Sequence, residues 1–363
     1  MPSSPDFHGR LSRLLLASAF ALGACTADAP TRKPDAADRV LLIAYRSTPT
    51  SEDVRSALRQ GGRGLPVIEV DVLQEAEPAS VRAALQALRD QGKRYRAVFS
   101  ISPTFARAAQ VVMPDVPVIF EGVTDPVRLC LVDSLQRPGR NATGYMHLLG
   151  ADETKKIELL HDAYPDLKEV LFLMSGLNLP PPNCDLDDPY WTAPFKPDCQ
   201  PGERELDYYI TRRVRGAEIQ AYAQARGLKL RFVVTCDVKD YPALVRWAEQ
   251  RPHSGWVVPW HDQFNRNRRA LVDQLNASGL PAIYPRQAFV QEGGLMSLSA
   301  LEDTGSDRPA LLSLLQVLGG RDPAGLPVQS PRGFTVTVNG RTAERLAPRP
   351  SLFVLRRADQ VLR

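Results

Sequence analysis

Polar residues able to hold a ligand recur in short clusters where an apolar run gives way to a turn. These are Arg46-Ser47-Thr48, Ser102-Pro103-Thr104, Thr124-Asp125-Pro126, Ser175-Gly176 and Pro259-Trp260-His261-Asp262. At the carboxyl end of a parallel strand, hydroxyls and the free amides of the next helix can receive a carboxylate or another anion. The same residue types are ordinary helix N-caps, so any single cluster indicates a cap at least as readily. The whole ring points to a cleft. Ser47, Thr48, Ser102, Thr104, Thr124 and Asp125 line its first side, and Ser175, Trp260 and Asp262 its second. Tyr284 and Arg286 stand where the chain leaves a later strand. In such a cleft the hydroxyls suit a carboxylate, Asp125 or Asp262 a cationic group, and Trp260 an apolar or aromatic body.

Bond-breaking chemistry finds no support. The chain has no GxSxG, HExxH or Walker sequence. Its five histidines, His8, His147, His161, His253 and His261, are not spaced as metal ligands and read as surface or boundary residues. The acids of Cys184-Asp-Leu-Asp-Asp188 lack the alternating ligands and turn glycine of a calcium loop. No cofactor, metal or enzymatic activity is expected.

The elements that must position the ring alternate. Arg39 to Tyr45 is a continuous apolar run, as in a strand buried on both faces. Leu65 to Val70, Ala97 to Ile101 and Val116 to Phe120 read as further strands, separated by helices that include an i, i+3, i+4, i+7 stripe at Val81, Ala84, Leu85 and Leu88. After Gly150 the pattern restarts. Strands are expected at Glu169 to Met174, Leu228 to Thr235, Gly255 to Val258 and Pro281 to Tyr284, and one helix at Gln263 to Ser278. Repeated βα order implies parallel sheets covered on both faces, hence an α/β class of two Rossmann-like lobes. The expected limits are 39–148 for the first lobe and 149–285 for the second, with part of 286–363 returning to the first. Residues 176–212 carry almost no periodicity and read as an insertion in the second lobe.

The amino terminus is a targeting segment. Arg10 and Arg13 precede an apolar run of 11 residues, Leu14 to Ala24, too short for the ~20 residues of a membrane span. Leu22-Gly23-Ala24-Cys25 resembles a bacterial lipobox, giving a signal peptide at 1–24, a lipid on Cys25 and a polar tether at 25–38. An ordinary secretory peptide is the alternative. In an exported chain, Cys184 and Cys199 flank one Pro-rich loop and are the expected disulfide, with Cys130 and Cys236 left as buried thiols. The 363 residues carry a formal charge of only +4, with no basic stripe, which argues against nucleic acid as a partner.

Several ordered blocks carry a family resemblance. Val118-Ile-Phe-Glu-Gly-Val-Thr-Asp-Pro-Val127 and Leu131-Val-Asp-Ser-Leu-Gln-Arg-Pro-Gly-Arg-Asn-Ala-Thr-Gly144 resemble bacterial ABC transporter substrate-binding proteins of the tryptophan-binding type. So do Leu280-Pro-Ala-Ile-Tyr-Pro285, Phe289-Val-Gln-Glu-Gly-Gly-Leu-Met-Ser297 and Gly319-Gly-Arg-Asp-Pro-Ala-Gly-Leu-Pro327. The resemblance implies a type I periplasmic-binding fold with a hinge crossed three times. It further implies a monomeric, periplasmic, membrane-anchored protein that delivers a small organic ligand, an amino acid or related aromatic, to an ABC permease. A sensory module read by a membrane histidine kinase would present the same cleft. Two departures bear on the ligand: the 176–212 insertion follows Ser175, and Ser297-Leu298-Ser299 replaces the family's usual Ser-Tyr-Gly.

Overall fold

The structure is a computed structural model that describes residues 39–44, 52, 54–56, 69–74, 78–147, 151–176, 201–205, 216–301 and 309–363. The segments expected to be a signal peptide (1–24) and a tether (25–38), with Cys25, and Ser47, Thr48, Cys184 and Cys199 lie outside the described residues.

The first sheet has five parallel strands: β1 (Arg39–Ala44), β2 (Glu69–Gln74), β3 (Ala97–Ser100), β4 (Val118–Val123) and β5 (Ala142–Met146), in the order β2-β1-β3-β4-β5. Both faces are buried, and the alternation along β1 shows how. Leu41 and Ile43 pack with Phe105, Val98 and Phe120 on one face, while Val40, Leu42 and Ala44 pack with Phe99 and Leu311 on the other. A continuous apolar run is therefore what this strand requires. The second strand lies further along the chain than its expected limits of 65–70. Expectation followed the most apolar stretch, whereas β1 pairs with Glu69 to Gln74.

The second sheet holds β6 (Glu169–Ser175), β7 (Gly202–Arg204), β8 (Lys229–Thr235), β9 (Ser254–Val257), β10 (Ala282–Tyr284), β11 (Met296–Ala300), β12 (Phe334–Asn339) and β13 (Gln360–Leu362). Its order is β13-β12-β11-β10-β9-β6-β8-β7. The pairings are parallel except β11 with β12 and β7 with β8. Val170, Phe172 and Met174 face one core layer, and Leu171 and Leu173 the layer that holds Trp256, Tyr284 and Phe289. The lobe thus gains three strands beyond residue 285, the limit drawn from sequence.

Between the sheets the chain passes three times. It leaves the first after β5 for the helix Ala151–Ala163, whose Ile157 and Leu160 pack in the second lobe. It returns after β11 to the helix Pro309–Leu318, whose Ala310, Leu311 and Leu314 are buried against the first sheet on its β3–β4–β5 side. Gln329 bridges Tyr145 beside β5, and β12 then re-enters the second sheet. The helix expected from Gln263 to Ser278 is two helices, Asp262–Arg266 and Arg268–Ala277. Asn267 interrupts it, donating its side-chain amide to the Gln263 carbonyl at 3.0 Å, a local bond that competes with helix continuity.

Candidate ligand-binding site

Strand ends from the two lobes meet at Trp260. After β9, residues Val258 and Pro259 are buried and carry Trp260 toward the first lobe. The indole stacks on the ring of His147, with centroids 4.5 Å apart and planes at 24°. Tyr145 meets the same imidazole edge-on at 5.4 Å and 81°. His147, 8% exposed, is the first residue beyond β5, and its amide donates to the Val123 carbonyl at 2.8 Å. The imidazole is thus anchored to the first lobe by its backbone and covered by a ring from the second.

An irregularity in β4 makes room for that ring. The β4–β5 register shifts between Phe120 and Val123, a bulge that re-aims the strand end. Gly122 lies within it at φ +76°, and a Cβ there would stand 2.8 Å from Trp260 Cη2. Only glycine combines that backbone with that proximity. Gly144 on β5 serves the same corner, since a Cβ on it would lie 2.0 Å from the Phe120 carbonyl oxygen.

Ser102 stands at the carboxyl end of β3, at the N-cap of the helix Pro103–Val112. It caps with backbone geometry alone, because its side chain makes no capping bond. The residue is 1% exposed, and its Oγ has no hydrogen-bond partner. Leaving a hydroxyl buried and unpaired costs roughly 1–3 kcal/mol, which a ligand oxygen at this strand end would recover. Thr104, also buried, sits on the first turn of the same helix. Thr124 and Asp125 are half-buried. Asp125 Oδ1 accepts the Arg128 amide at 3.0 Å, so its carboxylate is engaged as a turn cap.

On the second lobe, Ser175 Oγ donates to Gln263 Oε1, which ties the end of β6 to the segment after Trp260. His261 is the N-cap of the helix Asp262–Arg266, its Nδ1 accepting the Gln263 amide at 3.2 Å. Burial, reinforced by the positive charge of Arg266, pushes its pKa down to about 4, so the neutral acceptor form prevails near neutrality. Asp262 opens that helix, and its side chain lies outside the described residues.

Tyr284 requires a correction. Its ring is fully buried, stacked on Phe289 at 5.2 Å and 17°, with Gly294 against its edge. It fills the second-lobe core because it is the last residue of β10 and its side chain falls on the sheet face, not at the strand end. Arg286 is half-buried, at the N-cap of the short helix Gln287–Gln291. Cys130 and Cys236 are both disulfide-bonded, which overturns their expected state as free thiols. The expected Cys184–Cys199 pair lies outside the described residues.

Sequence reasoning missed Gly122, Tyr145, His147 and Gln263. His147 reads in the sequence as a surface or boundary residue, and only its place at the end of an unrecognised strand could have raised it. Among the described residues no group of His, Cys, Asp and Glu could hold a metal ion.

Residues 61–178 match the family model of ABC transporter substrate binding proteins. A tyrosine-binding protein of Clostridioides difficile is 38% identical over 73 residues, which is 20% of this chain and 21% of that protein. The match thus spans about a fifth of that relative's length. The ABC domain from Streptococcus pneumoniae solved in complex with L-Trp superposes with a TM-score of 0.69 at 20% identity, covering 89% of this chain and all of that one. A conserved domain protein from Vibrio cholerae gives 0.67 at 18%, covering 90% and all. A ligand-free, open substrate-binding protein with adhesive properties from Clostridium difficile gives 0.57 at 16%, covering 85% and 95%. The shared architecture is the type I periplasmic-binding fold.

Proposed function

We propose that this chain is the extracytoplasmic substrate-binding protein of an ABC-type uptake system. It captures an amino acid or related aromatic molecule between its lobes and presents it, as a monomer, to a membrane permease. The observation that carries this reading is the meeting of strand ends from both sheets at Trp260, His147 and Gly122, in a chain whose residues 61–178 match a substrate-binding family. A ligand that touches both sides favours the closed arrangement over the open one by the contacts it makes only there. Delivery then requires no bond to be made or broken, in keeping with a binding family that performs no catalysis.

Division of labour within the cleft follows the chemistry of its walls. Ser102, Thr104 and the first turn of the helix Pro103–Val112 take a carboxylate. Trp260 offers an aromatic wall and Asp262 a partner for a cation, while Asp125 serves the turn it caps. Thr124 and Ser175 complete the rim, Ser47 and Thr48 are assigned to it from sequence position alone, and Arg286 lies behind it. Cys25 carries the lipid that holds the mature protein to a bacterial membrane. The match to a tyrosine-binding protein and the likeness to an L-Trp complex support an amino acid as the ligand class.

Mass spectrometry of the small molecules that co-purify with the protein, followed by a thermal-shift screen of amino acids and related aromatics, tests the reading. A ligand at 100 times its dissociation constant adds ~2.7 kcal/mol of stability. Ser102→Ala and Trp260→Ala should each weaken its binding at least tenfold, or ~1.4 kcal/mol. Wild-type affinity in both variants would remove the ligand from this cleft.

A further inference from the structure

We propose that Trp260 is a closure latch: its indole edge seats in the notch left by Gly122 and its face on His147, so that the lobes hold each other through their own side chains. The inference rests on the two-lobe binding reading and adds a component that needs no ligand. Three independent features converge on it. Gly122 has the positive φ and the bulge that turn its Cα toward the second lobe. The indole atoms Cη2, Cζ3 and Cζ2 lie 2.8, 3.5 and 3.6 Å from where a Cβ would stand, so the ring edge occupies the space that a side chain would take. The imidazole beneath its face is braced by Tyr145 and by the His147 amide bond to Val123.

The second-lobe side is equally fixed. Trp260 is followed by His261, whose side chain caps the helix Asp262–Arg266, and by Gln263, which Ser175 Oγ engages from β6. The tryptophan therefore projects from a segment tied to both β6 and β9, and moves with the lobe as a body. Gly122 and His147 act as positioning residues: they set how closely the lobes approach and at what angle. A protein closed partly by its own contacts populates the binding-competent form before ligand arrives, which raises apparent affinity by the same factor. Opening must separate the indole from the imidazole and expose both.

A double-mutant cycle read by thermal unfolding, joined to small-angle X-ray scattering of the unliganded protein, tests the latch. Gly122→Ala introduces backbone strain at φ +76° as well as the clash, and the strain is common to any background. The latch predicts that Gly122→Ala lowers the melting temperature at least twice as much in wild type as in Trp260→Ala. It also predicts a larger radius of gyration for Gly122→Ala and for Trp260→Ala than for wild type. Trp260→Phe, which keeps an aromatic ring but shortens its reach, supplies the same comparison if Trp260→Ala does not fold. As a readout within the contact, the His147 ring protons should move downfield in NMR spectra once Trp260 is replaced, as the ring current is lost. Additive melting shifts with unchanged radii of gyration would overturn the latch. None of these measurements involves a ligand, so a failed ligand screen would count against the uptake reading and leave the latch standing.

Discussion

Acidification should strip stability from the second-lobe edge through one imidazole. His261 Nδ1 accepts the Gln263 amide at 3.2 Å, so this nitrogen must be unprotonated for the cap to exist. Burial, aided by Arg266, pushes the folded-state pKa down to about 4, against ~6.5 in an unfolded chain. As pH falls, the unfolded chain therefore takes up this proton first. The capping contribution is complete above about pH 6.5 and is lost progressively as pH falls toward the folded value. At ~1.4 kcal/mol per unit the gap sets a ceiling of ~3.5 kcal/mol, lowered by the partial solvent contact of the residue. The comparison is His261→Asn, which keeps a side-chain oxygen at the N-cap but does not titrate. Urea unfolding of both proteins, stepped across the interval between the two pKa values, cancels every other acid they share. The variant should gain on the wild type as the pH falls. A stability difference that stays constant across the interval, or a His261 titration near the unfolded value by NMR, would refute the reasoning.

Gly144→Ala should cost at least the ~1–3 kcal/mol typical of overpacking, because the new methyl meets the Phe120 carbonyl oxygen and backbone cannot yield as a side chain can; an unchanged unfolding midpoint would contradict the packing at this corner. Lys156→Met should destabilise by ~3–5 kcal/mol, since it leaves Glu153 buried without the ammonium that stands 3.0 Å away, and adding Glu153→Gln should recover part of that loss. Alkylation of the unreduced, unfolded protein should label neither Cys130 nor Cys236, as both are disulfide-bonded. Peptide mapping then identifies their partners: a Cys184–Cys199 peptide requires Cys130–Cys236 as the second bond, and modification of either described cysteine would refute the assignment.

The frame of the fold was legible because burial on both faces leaves a strong mark. β1 and β6 carry continuous apolar runs, Val40 to Ala44 and Val170 to Met174, and a covered parallel sheet with helices between satisfies both. What escaped were strands whose sequence is shaped by a neighbour. β5 reads Ala-Thr-Gly-Tyr-Met because Gly144 must clear the Phe120 carbonyl, and a glycine among small residues gives no strand signal. β7 is three residues long and not buried. It is held by its antiparallel pairing with β8, where Glu203 lies within reach of Arg231, and such pairing depends on tertiary proximity.

The candidate site divides along the same line. Strand-end position alone makes Ser102 and Trp260 candidates in the sequence, and the structure gives each a feature beyond capping: a buried hydroxyl without a partner and a ring that reaches the other lobe. Tyr284 was misread for a physical reason. The last residue of a strand can present its side chain to the sheet face, and the aromatic partner that claims it, Phe289, belongs to the next helix. Gly122 and His147 could not be found from residue type, since neither offers chemistry on its own. Their role is relational, one by having no side chain where an indole must pass and the other by lying flat beneath it. A cleft of this kind is therefore written in two ways: the groups that can bind a ligand are residues, and the groups that decide how the walls meet are shapes.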